Sequence, residues 1–119
     1  MTKVINTTQK VNDQITIKGQ LVDNQTRCIH YHTPVDLIAI KFKCCPKLYY
    51  PCFKCHEELN NHSIEKYDIK DKTEEVIICG NCFNTMTIEN YINCNSKCPY
   101  CKSIFNSKCS LHYDLYFIL

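Results

Sequence analysis

Arginine occurs once in this chain, at Arg27, and no apolar run approaches the roughly 18 residues of a membrane-spanning helix. The shortage of arginine argues against nucleic acid as a partner. Lysines appear in KVNDQITIK and AIKFKCCPK, but the helix-like segment HEELNNHSIEK carries more glutamate than lysine. That is the wrong balance for approaching phosphates. The missing apolar run speaks against membrane insertion. The opening MTKVINTTQKVNDQ also lacks the apolar centre of a secretory leader, and Asp13 without arginine is expected to make a poor transit peptide. No internal repeat is evident beyond a recurring Cys-x-x-Cys.

Cysteine is what the chain has in excess, 11 in 119 residues. At about 9 %, cysteine chemistry rather than a large core is expected to hold one small domain together. An odd count leaves one thiol over in an all-disulfide scheme. Three CxxC pairs, Cys52/Cys55, Cys79/Cys82 and Cys98/Cys101, stand with Cys28-x-His30 and the adjacent Cys44 and Cys45. This pattern points to structural zinc, which takes four sulfur or nitrogen ligands in a tetrahedron. The formal charge of +2 counts thiols as neutral. With nine thiolates and three zinc ions it becomes about −1, so the apparent basicity is no argument for a polyanionic partner.

The expected architecture is a small metal-dominated α+β domain, irregular, with short strands, one or two short helices and several zinc knuckles. Residues 1–18 read as a polar N-terminal extension, frayed over the first 14, and 19–119 as the zinc-bearing domain. QITIKGQLVD alternates like a strand or edge hairpin, with Gly19 at a bend. Cys28, His30 and His32 would share one side of an extended segment that Pro34 ends, and VDLIAIKF reads as a strand. A short helix is expected over 56–67, a charged loop over 69–75, a strand from 75 into the second knuckle, and helical turns over 86–92. Gly80 is expected to relax that knuckle's turn. In the tail, Leu111, Tyr113, Leu115, Phe117 and Leu119 alternate as a packed strand would.

The ligands divide into three sets. Cys79, Cys82, Cys98 and Cys101 make the plainest site. The first half offers Cys28, His30, Cys44, Cys45, Cys52, Cys55, His56 and His62, enough for two more. Cys55 and His56 are neighbours whose side chains diverge, which assigns them to different ions. Cys28 and His30 then go with Cys52 and Cys55, and Cys44 and Cys45 with His56 and His62. Two sites would be braced across one short segment. His56 and His62 do not fall on one helical face, so the helix has to end or bend before His62. Cys94 reads as a buried or incidental thiol in a turn. Cys109-x-x-His112 could replace a pair in the third site or hold a partial fourth one, with His112 otherwise hydrogen-bonding and packing near the knuckles. His32 reads as a residue behind a ligand or on the surface. Tyr31, Tyr49, Tyr50 and Tyr67 read as shields of the metal sites or core.

Cys28-Ile29-His30-Tyr31, Cys44-Cys45, Cys52-x-x-Cys55-His56-x-Glu58, His62, Cys79-Gly80-x-Cys82, Cys98-Pro99-x-Cys101, Phe105-Asn106, Cys109-x-x-His112-Tyr113 and Tyr116-Phe117 together resemble the CHY-type zinc finger family, in particular its small stand-alone members. The resemblance implies three zinc ions and the interleaved partition. It also implies a protein partner, cysteine-rich in the fungal case, where such a member helps assemble the small Tim chaperones. The compartment it implies is the mitochondrial intermembrane space for a fungal chain and the cytoplasm for a bacterial one. Larger relatives join the module to a RING finger; no RING-type array follows here, so ligase activity is not expected.

With four protein ligands on each ion, no position remains for the water that catalytic zinc requires. The expected function is therefore non-enzymatic, a protein-interaction or thiol- and metal-handling module of chaperone-like character. A thiol oxidoreductase using Cys52/Cys55 or Cys79/Cys82 is the alternative from another class, since a CxxC pair lowers a thiol pKa. A nucleic-acid-binding zinc protein is the third, disfavoured by charge.

Overall fold

A computed structural model describes residues 4–106 and 113–118. Among these residues a six-stranded sheet runs in the order β1-β2-β4-β3-β6-β7. The hairpin β1 (Asn6–Asn12) and β2 (Ile15–Leu21) opens it, followed in sequence by β3 (Ile38–Lys41), β4 (Leu48–Tyr50), β6 (Ile77–Cys79) and β7 (Thr85–Met86). All neighbours pair antiparallel except β2 and β4, which are parallel. A second, two-stranded parallel sheet joins β5 (Tyr67–Asp68) to β8 (Phe117–Ile118).

The side-chain alternation of strands explains how this sheet is covered on both faces. Ile17, Leu21, Ala39, Tyr49 and Ile78 pack on one face. Their sequence neighbours Ile40, Tyr50 and Ile77 turn to the other, joining Phe42, Val76, Met86, Phe105, Phe117 and the buried cysteines. Each two-residue step thus serves two layers. Strand β6, between β3 and the edge strand β7, is buried at all three positions and delivers Cys79 at its end.

Several local expectations are corrected. Residues 6–12, expected to fray, form the edge strand of the hairpin. Gly19 lies within that strand and not at a bend. A Cβ there would come within 2.7 Å of the Pro51 ring and 3.1 Å of Cys55 Sγ, so its bareness admits the helix that carries the ligands. Cys28 to Tyr31 is a tight turn, closed by Cys28 N–H to Tyr31 O at 3.0 Å and Tyr31 N–H to Cys28 O at 3.2 Å. His32 is left exposed.

Helix α1 spans Phe53–Leu59 and not 56–67. It begins inside the knuckle because Cys52 is its N-cap, the sulfur accepting from Cys55 N–H at 3.4 Å. It stops at Asn60, whose side-chain amide donates to His56 O at 2.9 Å and to the Tyr50 hydroxyl at 3.0 Å. His62 therefore lies beyond the helix. Helix α2 spans Ile88–Ile92, capped by Thr87. In the tail, α3 (Tyr113–Tyr116) replaces the expected strand before β8. Tyr113 and Phe117 still meet, with ring centroids 5.9 Å apart, because residues four apart share a helical face. Leu111, Leu119, Cys109 and His112 lie outside the described residues.

Candidate metal centre

Three groups of four ligand atoms form among the described residues, each group lying within a 4.8 Å span. They are Cys28, His30, Cys52 and Cys55 (site 1); Cys44, Cys45, His56 and His62 (site 2); and Cys79, Cys82, Cys98 and Cys101 (site 3). Zinc–sulfur bonds of about 2.3 Å and zinc–nitrogen bonds of about 2.0 Å give tetrahedral edges of about 3.8 Å between sulfurs and about 3.5 Å between sulfur and nitrogen. Cys28 to Cys52, Cys82 to Cys98 and Cys79 to Cys101 measure 3.7, 3.7 and 3.8 Å. His30 Nδ1 lies 3.4 and 3.5 Å from the Cys52 and Cys55 sulfurs. These spacings match the edges of a coordination tetrahedron and are far too long for disulfides. The donor sets fit zinc, and each group could hold one ion.

Site 1 is built where the Cys28–Tyr31 turn meets the start of α1. Its histidine is oriented from behind: His30 Nε2 lies 2.6 Å from Glu58 Oε1, which leaves Nδ1 for the metal. A carboxylate in this position fixes the ring and its tautomer. Glu58 stands three residues after Cys55 on α1, so helical spacing was the signal for this role, one that sequence reasoning left unassigned. The three sulfurs share their protons unequally. The Cys52 thiol, then Cys55, holds Cys28 down at about 2, while the same contacts push Cys52 far up and Cys55 up to about 12. A dication at this site would substitute for the shared protons.

Site 2 is built from a turn, the helix and the loop after it. Cys44 and Cys45 bring their sulfurs within 3.4 Å where the chain reverses between β3 and β4. His56 Nε2 lies 3.3 and 3.5 Å from those sulfurs, and His62 Nε2 lies 3.5 Å from Cys45. The His56 ring is clamped edge-on between Phe42 and Tyr50, its Nδ1 buried without a hydrogen-bond partner. Burial, then the neighbouring His62, holds its pKa below the ordinary imidazole value. The neutral ring is the metal-binding form. Burial pushes the Cys45 thiol up.

Site 3 consists of two knuckles of the same design. In one, Asn81 N–H points to Cys79 Sγ and Phe83 N–H to Cys79 O; in the other, Tyr100 N–H points to Cys98 Sγ and Lys102 N–H to Cys98 O. Both end on a non-glycine residue in the left-handed region, Phe83 at φ 59° and Lys102 at φ 66°. Side-chain amides add donors to the sulfurs: Asn81 to Cys101 at 3.5 Å and Asn84 to Cys82 at 3.4 Å. Ser103, then Asn81, draws Cys101 down to about 6, whereas burial pushes Cys79 and Cys98 up. Asn81, Asn84 and Ser103 were not singled out from sequence; polar residues in and just after a CxxC are the trace they leave.

Gly80 does not relax the turn by positive φ. It lets another loop approach: a Cβ there would fall 2.3 Å from Thr26 Oγ1 and 2.4 Å from Gln25 O. Its N–H donates to Leu37 O at 2.6 Å. Among the remaining candidates, half-buried Cys94 donates its thiol to Tyr91 O at 2.9 Å. Tyr49 and Tyr50 are buried, Tyr67 is half-buried and Tyr31 is exposed.

The sequence matches the family CHY zinc finger over residues 28–91. It is 54% identical over 104 residues to Helper of Tim protein 13 of Saccharomyces cerevisiae, covering 85% of this chain and 89% of that protein. It is 48% identical over 102 residues to Helper of Tim protein 13 of Kluyveromyces lactis, covering 86% and 88%. A much longer Schizosaccharomyces pombe protein is 33% identical over 93 residues, 78% of this chain but only 16% of that one. No solved structure matches the chain.

Proposed function

We propose, from the premise that this chain belongs to the CHY zinc finger family, that it is a non-enzymatic three-zinc protein that docks cysteine-rich protein partners. Its zinc ligands in this reading are Cys28, His30, Cys52 and Cys55 on one ion, Cys44, Cys45, His56 and His62 on a second, and Cys79, Cys82, Cys98 and Cys101 on the third. The carrying observation is that each group brings four protein donor atoms within 4.8 Å of one another, as many as a tetrahedral zinc takes. No corner is left for water or substrate. An oxidoreductase would need a free CxxC pair, and each of the three pairs lies inside a four-donor group.

The relatives' name, Helper of Tim, supports Tim proteins as the partner. This chain helps small Tim proteins assemble, in the mitochondrial intermembrane space, by holding their cysteines in a productive state. The test is replacement of the S. cerevisiae relative by this chain, with native mass spectrometry of the purified protein beside it. Restored small Tim complexes and three zinc ions per chain are expected. Fewer than three ions would overturn the ligand assignment; three ions without restored complexes would overturn the partner.

A further inference from the structure

The three sites differ in how their ligands are supported. In site 1 Glu58 holds the far nitrogen of His30 at 2.6 Å, and Cys55 N–H reaches the Cys52 sulfur. In site 3 backbone or side-chain amides reach all four sulfurs. In site 2, among the described residues, no amide N–H donates to the Cys44 or Cys45 sulfur, though the Tyr50 hydroxyl lies against Cys45. The far nitrogen of His56 is buried and unpartnered. His62 is exposed, beyond the end of α1, and its recorded contacts are the Cys45 sulfur at 3.5 Å and the His56 ring.

The loop that carries His62 is secured without it. Asn60 ties the near end to His56 O and Tyr50, and Lys43 N–H donates to Glu65 O at 2.8 Å at the far end. Losing the His62 contact leaves both ties in place. Charge separates the sites further. Two thiolates neutralise a dication at site 2, whereas three leave site 1 at about −1 and four leave site 3 at about −2. An incoming anionic sulfur meets repulsion at sites 1 and 3 and none at site 2.

We propose that site 2 is the exchangeable site of this protein, with His62 as the ligand that yields its place to the thiolate of a cysteine-rich protein. This rests on the three-zinc reading above. The exchange forms one sulfur–zinc bond and breaks one nitrogen–zinc bond; His62 departs as a neutral imidazole and no electrons move. Sites 1 and 3 keep the fold while site 2 opens. The partner recognised is a protein thiolate able to reach the rim where His62 is exposed.

The test is limited EDTA challenge of the full, zinc-loaded chain, followed by native mass spectrometry, circular dichroism and, on the cadmium-substituted protein, cadmium NMR. Cadmium shifts separate sites by thiolate number. The two-sulfur, two-nitrogen signal is expected to disappear about 10- to 100-fold faster than either other signal, the range that lost ligand support costs a metal site. A two-metal species with unchanged circular dichroism then accumulates. His62→Cys, which supplies a third thiolate, is expected to slow that release by at least about tenfold, and His62→Ala to yield the two-metal species directly. Loss of all three ions in one step, or first loss from site 1 or site 3, would overturn the proposal while leaving the three-zinc reading intact. A chain that never holds three ions would overturn that reading instead.

Discussion

In the segment from Cys79 to Cys101, donors arrive in pairs already aimed by their own turns, and joining two such pairs completes site 3. From Cys28 to His62, eight donors come from a turn, a chain reversal, a helix and a loop, and two sites share α1 through adjacent Cys55 and His56. The first arrangement is nearly self-contained. The second depends on the sheet, because β2 and β4 seat α1 where both ligand sets can reach it, with Gly19 leaving the room. Knuckle geometry is local information, whereas a shared helix is tertiary information.

The largest effect that separates the two comes from paired cysteine variants. Cys55→Ser is expected to release the site 1 ion and, by freeing α1, to loosen site 2. Cys82→Ser is expected to release one ion and spare the other two. Structural zinc is worth about 10 to 16 kcal/mol in finger peptides, against about 5 to 15 kcal/mol for a whole domain. Cys55→Ser should therefore unfold the first half outright. Cobalt-substituted protein read by charge-transfer absorption and circular dichroism checks this; equal losses from both variants would erase the distinction.

Next in size is Glu58→Gln, which keeps the shape and removes the charge behind His30. Zinc at site 1 is expected to weaken about 10- to 100-fold, while site 3 is untouched. Competition titration with a chelator of known affinity measures it.

Acidification sharpens the contrast at smaller amplitude. His56 has its pKa lowered by burial, so the folded protein disfavours its proton while the unfolded chain accepts it near the ordinary value of about 6.5. The unfolded state then binds more protons, and stability from this ring is full above that value and lost as pH falls through the lower folded pKa. Metal occupancy in the first half is expected to show that imidazole inflection. Site 3 has no histidine and is expected to lose metal through its thiols instead, Cys101 being drawn down to about 6. Site-resolved cadmium NMR across the titration decides.

The smallest effect is Lys102→Gly. Lys102 sits at φ 66°, where glycine carries no steric penalty, and its side chain is exposed. A gain of at most about 1 kcal/mol is expected, reduced by the glycine's extra freedom when unfolded. Thermal unfolding of the zinc-loaded protein measures it.

What could be read from the sequence follows the same division. CxxC spacing alone puts two sulfurs on one ion, and the divergence of adjacent side chains separates Cys55 from His56. The start of α1 was misplaced because a cysteine is not an ordinary helix cap; in Cys52 the sulfur does the work of an aspartate oxygen. The edge strand at 6–12 is polar on most of its surface and carries little hydrophobic alternation, so its pairing with β2 left a weak pattern. Glu58 was visible as a residue but not as a partner, because its role depends on where a turn 28 positions away presents His30.

The two knuckles of site 3 are near copies in geometry, yet their second residues are not interchangeable. Pro99 is exposed, whereas Gly80 is pressed under the loop that leads to Cys28. Proline at 80 would forfeit the N–H given to Leu37, and even alanine would drive a methyl group into Gln25 and Thr26. The restriction comes from another segment, so the tolerance of position 80 is epistatic to the 25–26 loop. Alanine that is forbidden beside this loop would be admitted beside a differently routed one. Substitutions along this seam are therefore expected to drift in company, with changes at 26 and 80 compensating one another, while position 99 varies independently.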